Sequence, residues 1–201
     1  SSKPVLIQNF RHEPPPMQGR DPKVRFNLGM LKWADKNKDP VFALRVLERL
    51  LASDNRWILR FAGPDLTGEV RDLDPKYWSE FDDLINELND HVVFDGYQKE
   101  PYKWYENLGF ILSCSRREGS HESVVEAMGA GTLPIIRNWP MFSELGAAKS
   151  QFPSGFIFDS PDEAFSRILS LSNDISKLSL LVAEQARRDY FSSDQELKLL
   201  R

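Results

Sequence analysis

The sequence is short of cysteine, of long apolar runs and of excess positive charge, and each shortage removes a class of protein. Cys114 is its one cysteine among 201 residues, so no internal disulfide can form, which fits a reducing compartment and makes a cytoplasmic location the expectation. No stretch of 18 apolar residues is available for a membrane-spanning helix, and no charged-then-apolar leader is visible. The 26 Lys and Arg residues are outnumbered by 30 Asp and Glu, for a net charge of −4. That balance excludes the broad basic footprint of a nucleic-acid binder, while leaving room for local basic sites that meet a phosphorylated small molecule. Internal repeats and low-complexity tracts are missing as well. What is present, 41% hydrophobic and 28% charged residues, suits one compact soluble domain, able to bury roughly 70% of its unfolded surface.

The chain begins at Ser1 rather than methionine, which suggests a fragment. Residues 1–22 combine the short apolar run Val5–Ile7 with a polar stretch containing Pro14, Pro15 and Pro16; prolines favour extended backbone, so this segment is expected to be an interdomain linker. Residues 23–192 form the expected domain. Ser193 and Glu196 within 193–201 hint at a further helix start or a tail.

Apolar periodicity divides that domain into alternating strands and helices. Strands are expected at Val24–Leu31, Trp57–Phe61, His91–Phe94, Gly109–Cys114, Thr132–Ile136 and Gly155–Phe158. A helix over Val41–Leu51 is introduced by Asp39 as cap and Pro40 in the first turn. Phe81, Leu84, Ile85 and Leu88 recur at helical spacing within Tyr77–Asn89, and Pro101–Asn107 reads as a short aromatic helix. Further helices are expected at Met141–Ala147, at Asp162–Leu171 behind a capping box of Ser160 and Glu163, and at Ile175–Tyr190. Residues 64–76 look irregular. Alternation of this kind argues a parallel sheet covered on both faces, a Rossmann-like three-layer α/β sandwich.

The densest chemistry lies in residues 111–136. Polarity rises from Ser113 to His121, a short helix follows through Val124, Val125, Ala127 and Met128, and Gly129 and Gly131 end it before the next strand. Glu118 and Glu126 frame this loop and helix. In open parallel sheets ligands bind beyond the carboxyl ends of the strands, where helix N-termini offer unpaired amides and a partial positive charge suited to phosphate. Carboxylates are poor phosphate ligands but good acceptors for sugar hydroxyls. Amides for phosphate flanked by carboxylates for two sugars describe a sugar nucleotide.

Ser115, Glu118, Gly119, Glu126, Ala127, Met128, Gly131, Pro134 and Ile135 together resemble the nucleotide-binding half of GT-B glycosyltransferases of the family 4 type. The likeness extends in order through Gly29, Lys38, Gly63, Gly96 and Gly155–Phe158. It implies that the chain is the donor-binding, C-terminal half of a retaining glycosyltransferase acting on a nucleoside-diphosphate sugar. It further implies a glycan, lipid or other hydroxyl acceptor recognised by a missing N-terminal domain. By the same resemblance, Glu126 would hold the ribose hydroxyls and Glu118 the transferred sugar; His121, from its own place beside the loop amides, is a candidate catalytic or sugar-contacting residue. The backbone of Gly119, Ser120 and Ser123 would lie against sugar and diphosphate, Lys38 would contact the diphosphate, and Phe94–Tyr97, including Gly96 and Tyr97, would line the base. No metal or other cofactor is implied, since cations and the helix N-terminus neutralise the leaving diphosphate. Ser120 and His121 replace the family's usual Phe-Gly and make the sugar pocket more polar. Met30 stands where the family places an arginine, so one phosphate cation is either missing, with reduced activity or a different phosphate arrangement, or replaced by Lys32, Lys36 or Arg116.

Plainer readings accompany these. Ser123 and Glu126 also spell a capping box, in which Glu126 would bond to the Ser123 amide. His121, Arg116 and Arg117 are ordinary surface residues in a polar loop, and Tyr102, Trp104 and Tyr105 are expected to pack on the sheet rather than stack on a sugar. Two other functions fit the same pattern: a sugar-nucleotide epimerase, and a non-catalytic module that binds nucleotide sugar or glycan.

Overall fold

The computed structural model describes Pro14, Pro15 and residues 21–119 and 121–191. Most of the expected linker, Ser120 and the 193–201 segment lie outside the described residues. Six strands form one parallel sheet: β1 (Asn27–Leu31), β2 (Ile58–Ala62), β3 (Val92–Gly96), β4 (Phe110–Ser113), β5 (Leu133–Arg137) and β6 (Ile157–Phe158), in the order β3-β2-β1-β4-β5-β6. This is the doubly wound Rossmann-like order, in which the direction of strand addition reverses between β1 and β4. The central strand β4 is buried at every position, whereas the edge strand β3 has no fully buried residue. The continuous apolar run Phe110–Leu112 therefore marks a strand covered on both faces.

Among the described residues, seven α-helices connect and cover the strands: α1 (Pro40–Leu51), α2 (Gly68–Leu73), α3 (Pro75–Glu87), α4 (Pro101–Tyr105), α5 (Glu122–Gly129), α6 (Pro161–Ser172) and α7 (Ile175–Ala186). Proline opens α1, α3, α4 and α6, where its fixed φ suits the first turn and its missing N–H costs nothing. The α6 capping box forms in half: Ser160 Oγ accepts from the Glu163 amide at 3.3 Å, while the Glu163 carboxylate accepts from the amide of Asp159, one residue before the cap, at 2.8 Å. One large core joins β1, β2, β4 and β5 to α1, α3, α6 and α7. A smaller cluster around Trp104, Tyr105 and Leu108 fills the space beneath α4. Among the described residues no helix is long and apolar enough to cross a membrane.

Several expectations are corrected. Pro22–Phe26 is a 3-10 turn, so the first strand starts at Asn27, not Val24. Residues 64–76 contain α2, whose N-cap Thr67 accepts from the Val70 amide at 3.4 Å; its six residues bury nothing fully, so no apolar periodicity announces it. Met141–Ala147 is not one helix. Pro140–Leu145 is 3-10 with a break at Phe142, and a second 3-10 turn covers Ala147–Ser150. The last long helix is α-helical only to Ala186 and widens into a π turn over Arg187–Phe191.

Candidate functional site

Two loops meet at the crevice between β1 and β4. Residues 32–39 lead from β1 into α1, and residues 114–121 lead from β4 into α5. Their backbones are stitched together: the Arg116 amide donates to the Asn37 carbonyl at 2.8 Å, and Asn37 Nδ2 donates to the Arg117 carbonyl at 3.1 Å. At this seam the Lys38 ammonium donates to Glu118 Oε1, which also accepts from Ser115 Oγ at 2.6 Å. The pair is largely withdrawn from solvent, with side-chain exposures of 21% for Lys38 and 12% for Glu118. Burial alone would raise the Glu118 pKa, but the charge that His121 takes on when protonated in acid, the hydrogen bonds from Lys38 and Ser115 and the Lys38 ammonium outweigh it, and the carboxyl sits below its usual range.

His121 is no surface residue. It is 4% exposed, shares a 2.6 Å hydrogen bond between its Nε2 and Ser113 Oγ, and packs against the rings of Trp139 and Phe152 at 5.5 and 6.0 Å. Burial pushes its pKa down to about 4, against the pull of Glu118. At neutral pH it is an uncharged imidazole, with one ring nitrogen able to donate and the other to accept. Met30, Leu31, Lys38, Ser113, Ser115, His121 and Ser123 line a pocket between the two loops.

Helix α5 begins at Glu122 with His121 as its N-cap residue, and the His121 side chain makes no capping bond. Ser123 is thus the second helical residue rather than the cap, which removes the geometry of a Ser123–Glu126 capping box. His121 and Ser123, at the start of α5, line the pocket, and a helix N-terminus favours an anion. Glu126 lies one turn on and accepts a 3.3 Å hydrogen bond from the Tyr105 hydroxyl of α4. Burial and the neighbouring Glu126 raise the Tyr105 pKa and keep that hydroxyl a donor.

The other expected residues scatter in informative ways. Gly29 sits inside β1, paired with Arg60 and Ile111, where a Cβ would collide with Leu108 Cδ1 and lie 2.9 Å from Trp104 Cη2. Its lack of a side chain serves packing. Gly96 ends β3 at φ +66° and faces open space, followed by Tyr97 at 76% exposure. Separated from β4 by β2 and β1, they reach the first loop through Phe94, whose ring lies 5.0 Å from that of Trp33. Gly119 has open space about its Cα. Met30 is buried in β1. Of the substitute cations, Lys36 is paired with Asp74 and Arg116 lies 3.5 Å from Asp39, while Lys32 is exposed.

Asp39, expected to cap α1, makes no side-chain cap bond and adopts a left-handed conformation at φ +59°. Its 6%-exposed carboxylate instead accepts from the Tyr77 hydroxyl at 2.9 Å and from Arg137 at 2.8 Å. Neither Tyr77 nor Arg137 was singled out from the sequence. The available signal for Arg137 was a charged residue at the end of a buried strand; for Tyr77 there was none. Among the described residues no group of three or more His, Cys, Asp or Glu side chains is placed to hold a metal ion.

The sequence pattern of the glycosyl transferases group 1 family matches residues 20–189. The chain belongs to this family. Among solved structures, it is similar to a variant of S. aureus TarM in complex with fondaparinux, alpha-GlcNAc-glycerol and UDP (TM-score 0.70, 18% identity, 98% of this chain and 37% of TarM). It is also similar to the C-terminal domain of the glycosyl transferase group 1 protein LpcC from Francisella tularensis (0.65, 17%, 89% and 95%). A third likeness is to the pneumococcal O-GlcNAc transferase GtfA in complex with UDP and GlcNAc (0.64, 17%, 88% and 35%). Curated protein sequences give no significant match. The group 1 chain thus has the fold of a C-terminal GT-B domain, and it spans little more than a third of TarM and GtfA.

Proposed function

We propose that this group 1 domain binds a nucleoside-diphosphate sugar and is the donor-binding half of a longer glycosyltransferase that passes the sugar, with retention of configuration, to a hydroxyl of a glycan, lipid or other acceptor. The observation that carries this reading is the meeting of Lys38 and Glu118 at the crevice between β1 and β4, beside the first turn of α5. A cation, a low-pKa carboxylate and helix amides converge there without belonging to one element. Lys38 and the α5 amides suit the diphosphate, whose charge grows as the glycosidic bond breaks and which they neutralise without a metal. Glu118, ionised across the physiological range, accepts hydrogen bonds from the hydroxyls of the transferred sugar. Glu126 takes the ribose, and the exposed Phe94 and Tyr97 offer aromatic surface to the base.

TarM and GtfA hold UDP, so UDP is the first nucleotide to test. Calorimetric titration of the chain with UDP, GDP, ADP and dTDP is expected to reveal one that binds. Failure of all four at millimolar concentration would sink the reading. Product analysis with the longer protein then separates transfer from epimerisation: a glycosylated acceptor supports transfer, and an altered free sugar nucleotide with no such product refutes it. A cytoplasmic setting accords with Cys114, a buried thiol whose pKa is raised by burial.

A further inference from the structure

The Asp39 carboxylate is the junction of four elements that the donor-site reading does not itself require. Tyr77 of α3 donates to Oδ1 at 2.9 Å and Arg137, the last residue of β5, donates to Oδ2 at 2.8 Å. Arg116 of the β4–α5 loop approaches the same Oδ2 at 3.5 Å. Arg137 also donates to the Cys114 carbonyl at 3.3 Å, where β4 gives way to that loop, and the Tyr77 hydroxyl accepts from the Val41 amide at 3.3 Å. Asp39 is buried, and a buried carboxylate persists only when its lone pairs are taken up by donors. Its backbone is left-handed, a conformation that a non-glycine residue holds only when its surroundings impose it, aspartate being among the more tolerant. The residue immediately before it is Lys38.

We infer that Asp39 is a positioning residue: anchored by Tyr77 and Arg137, it holds the β1–α1 loop in its left-handed turn and so sets the Lys38 ammonium against Glu118 and the diphosphate position. Asp39 itself is turned to Tyr77 and Arg137 and acts through Lys38. This inference rests on the donor-site reading for its diphosphate part, and on geometry alone for the Lys38–Glu118 part.

A double-mutant cycle tests it. In the 201-residue chain, Asp39→Asn is expected to weaken binding of the preferred nucleoside diphosphate at least fivefold. In a Lys38→Ala background the same substitution is expected to cost less than twofold, because the residue it acts through is gone. Tyr77→Phe removes one anchor without changing any charge and is expected to follow the same pattern with a smaller loss; it serves if Asp39→Asn does not fold. Carboxyl NMR titration of Glu118 in the ligand-free chain is the second readout, and Asp39→Asn or Tyr77→Phe should raise its pKa. Equal losses in both backgrounds, or a Glu118 titration unchanged from wild type, overturn the inference. If the wild-type chain binds none of the four diphosphates, the donor-site reading falls, and the Glu118 titration alone decides whether Asp39 positions Lys38.

Discussion

Lys38 and Glu118, 80 residues apart in sequence, form an ion pair across the crevice between β1 and β4. Each is supplied by a separate strand-to-helix loop, so their meeting depends on the sheet placing β1 beside β4. A diphosphate in the crevice would share Lys38 with Glu118. Lys38→Ala is therefore expected to weaken nucleoside-diphosphate binding by about 1.5 to 3 kcal/mol, the worth of a hydrogen bond to a charged group, as measured by calorimetry. The same substitution should raise the Glu118 pKa, because it removes one of the groups that hold it down.

Glu126 is tested by binding and stability together. Because α5 starts at Glu122 and Ser123 is not its cap, the stability that Glu126→Ala loses should be that of its hydrogen bond from buried Tyr105, about 1 kcal/mol, while nucleotide affinity falls by about 1.5 to 3 kcal/mol. Tyr105→Phe, which removes the donor 3.3 Å from Glu126, should weaken binding less. A large fall in melting temperature with unchanged affinity in Glu126→Ala would assign the residue to the helix instead of the ligand.

Gly29 offers a test of packing independent of function. A methyl group there would run into Leu108 and Trp104, so Gly29→Ala is expected to lose about 1 to 3 kcal/mol of stability in urea denaturation, the usual cost of overpacking. Shortening Leu108 to Ala in the same chain should relieve part of the clash. The double variant is thus expected to lose less than the two single losses added together.

Acid should loosen the site from the direction of His121. Its pKa is about 4 in the folded protein against an ordinary 6.5, so between those values the unfolded chain binds the extra proton and is favoured. The stabilisation is fully present above about pH 6.5 and drains away as pH falls toward 4, a loss on the order of 3 kcal/mol or roughly 6–12 °C in Tm. Glu118, whose folded pKa is lowered, adds to the loss in the same sense at the acid end, as pH falls through that pKa. Thermal melts from pH 7.5 to 4.5 should show the decline, and His121→Asn should flatten it.

The strand and helix order was legible because each element announces itself locally. Phe110–Leu112 reads as a buried strand from three consecutive apolar residues, and Ser160, Pro161 and Glu163 spell out the start of α6. Elements that bury little, such as α2, carry no such signal, and the broken 3-10 stretch around Phe142 owes its shape to neighbours distant in sequence: the Met141 amide donates to the Arg116 carbonyl at 3.2 Å. Site residues divide in the same way. Glu118 and Glu126 stand out through their spacing around one loop and helix, whereas Asp39 before Pro40 imitates a helix cap and conceals its bonds to Tyr77 and Arg137.

From its own residues, then, the chain determines an alternation of strands and helices, a family pattern and the two glutamates around α5, since all of these are written in spacing along one segment. Only the tertiary structure decides that Lys38 meets Glu118, that His121 is buried and neutral, that Gly29 is a packing glycine, and that Asp39 is a junction of four elements. Those relations arise where parallel strands bring separate loops to one edge. Charge, burial and hydrogen bonding there depend on partners tens of residues away, which no local pattern records.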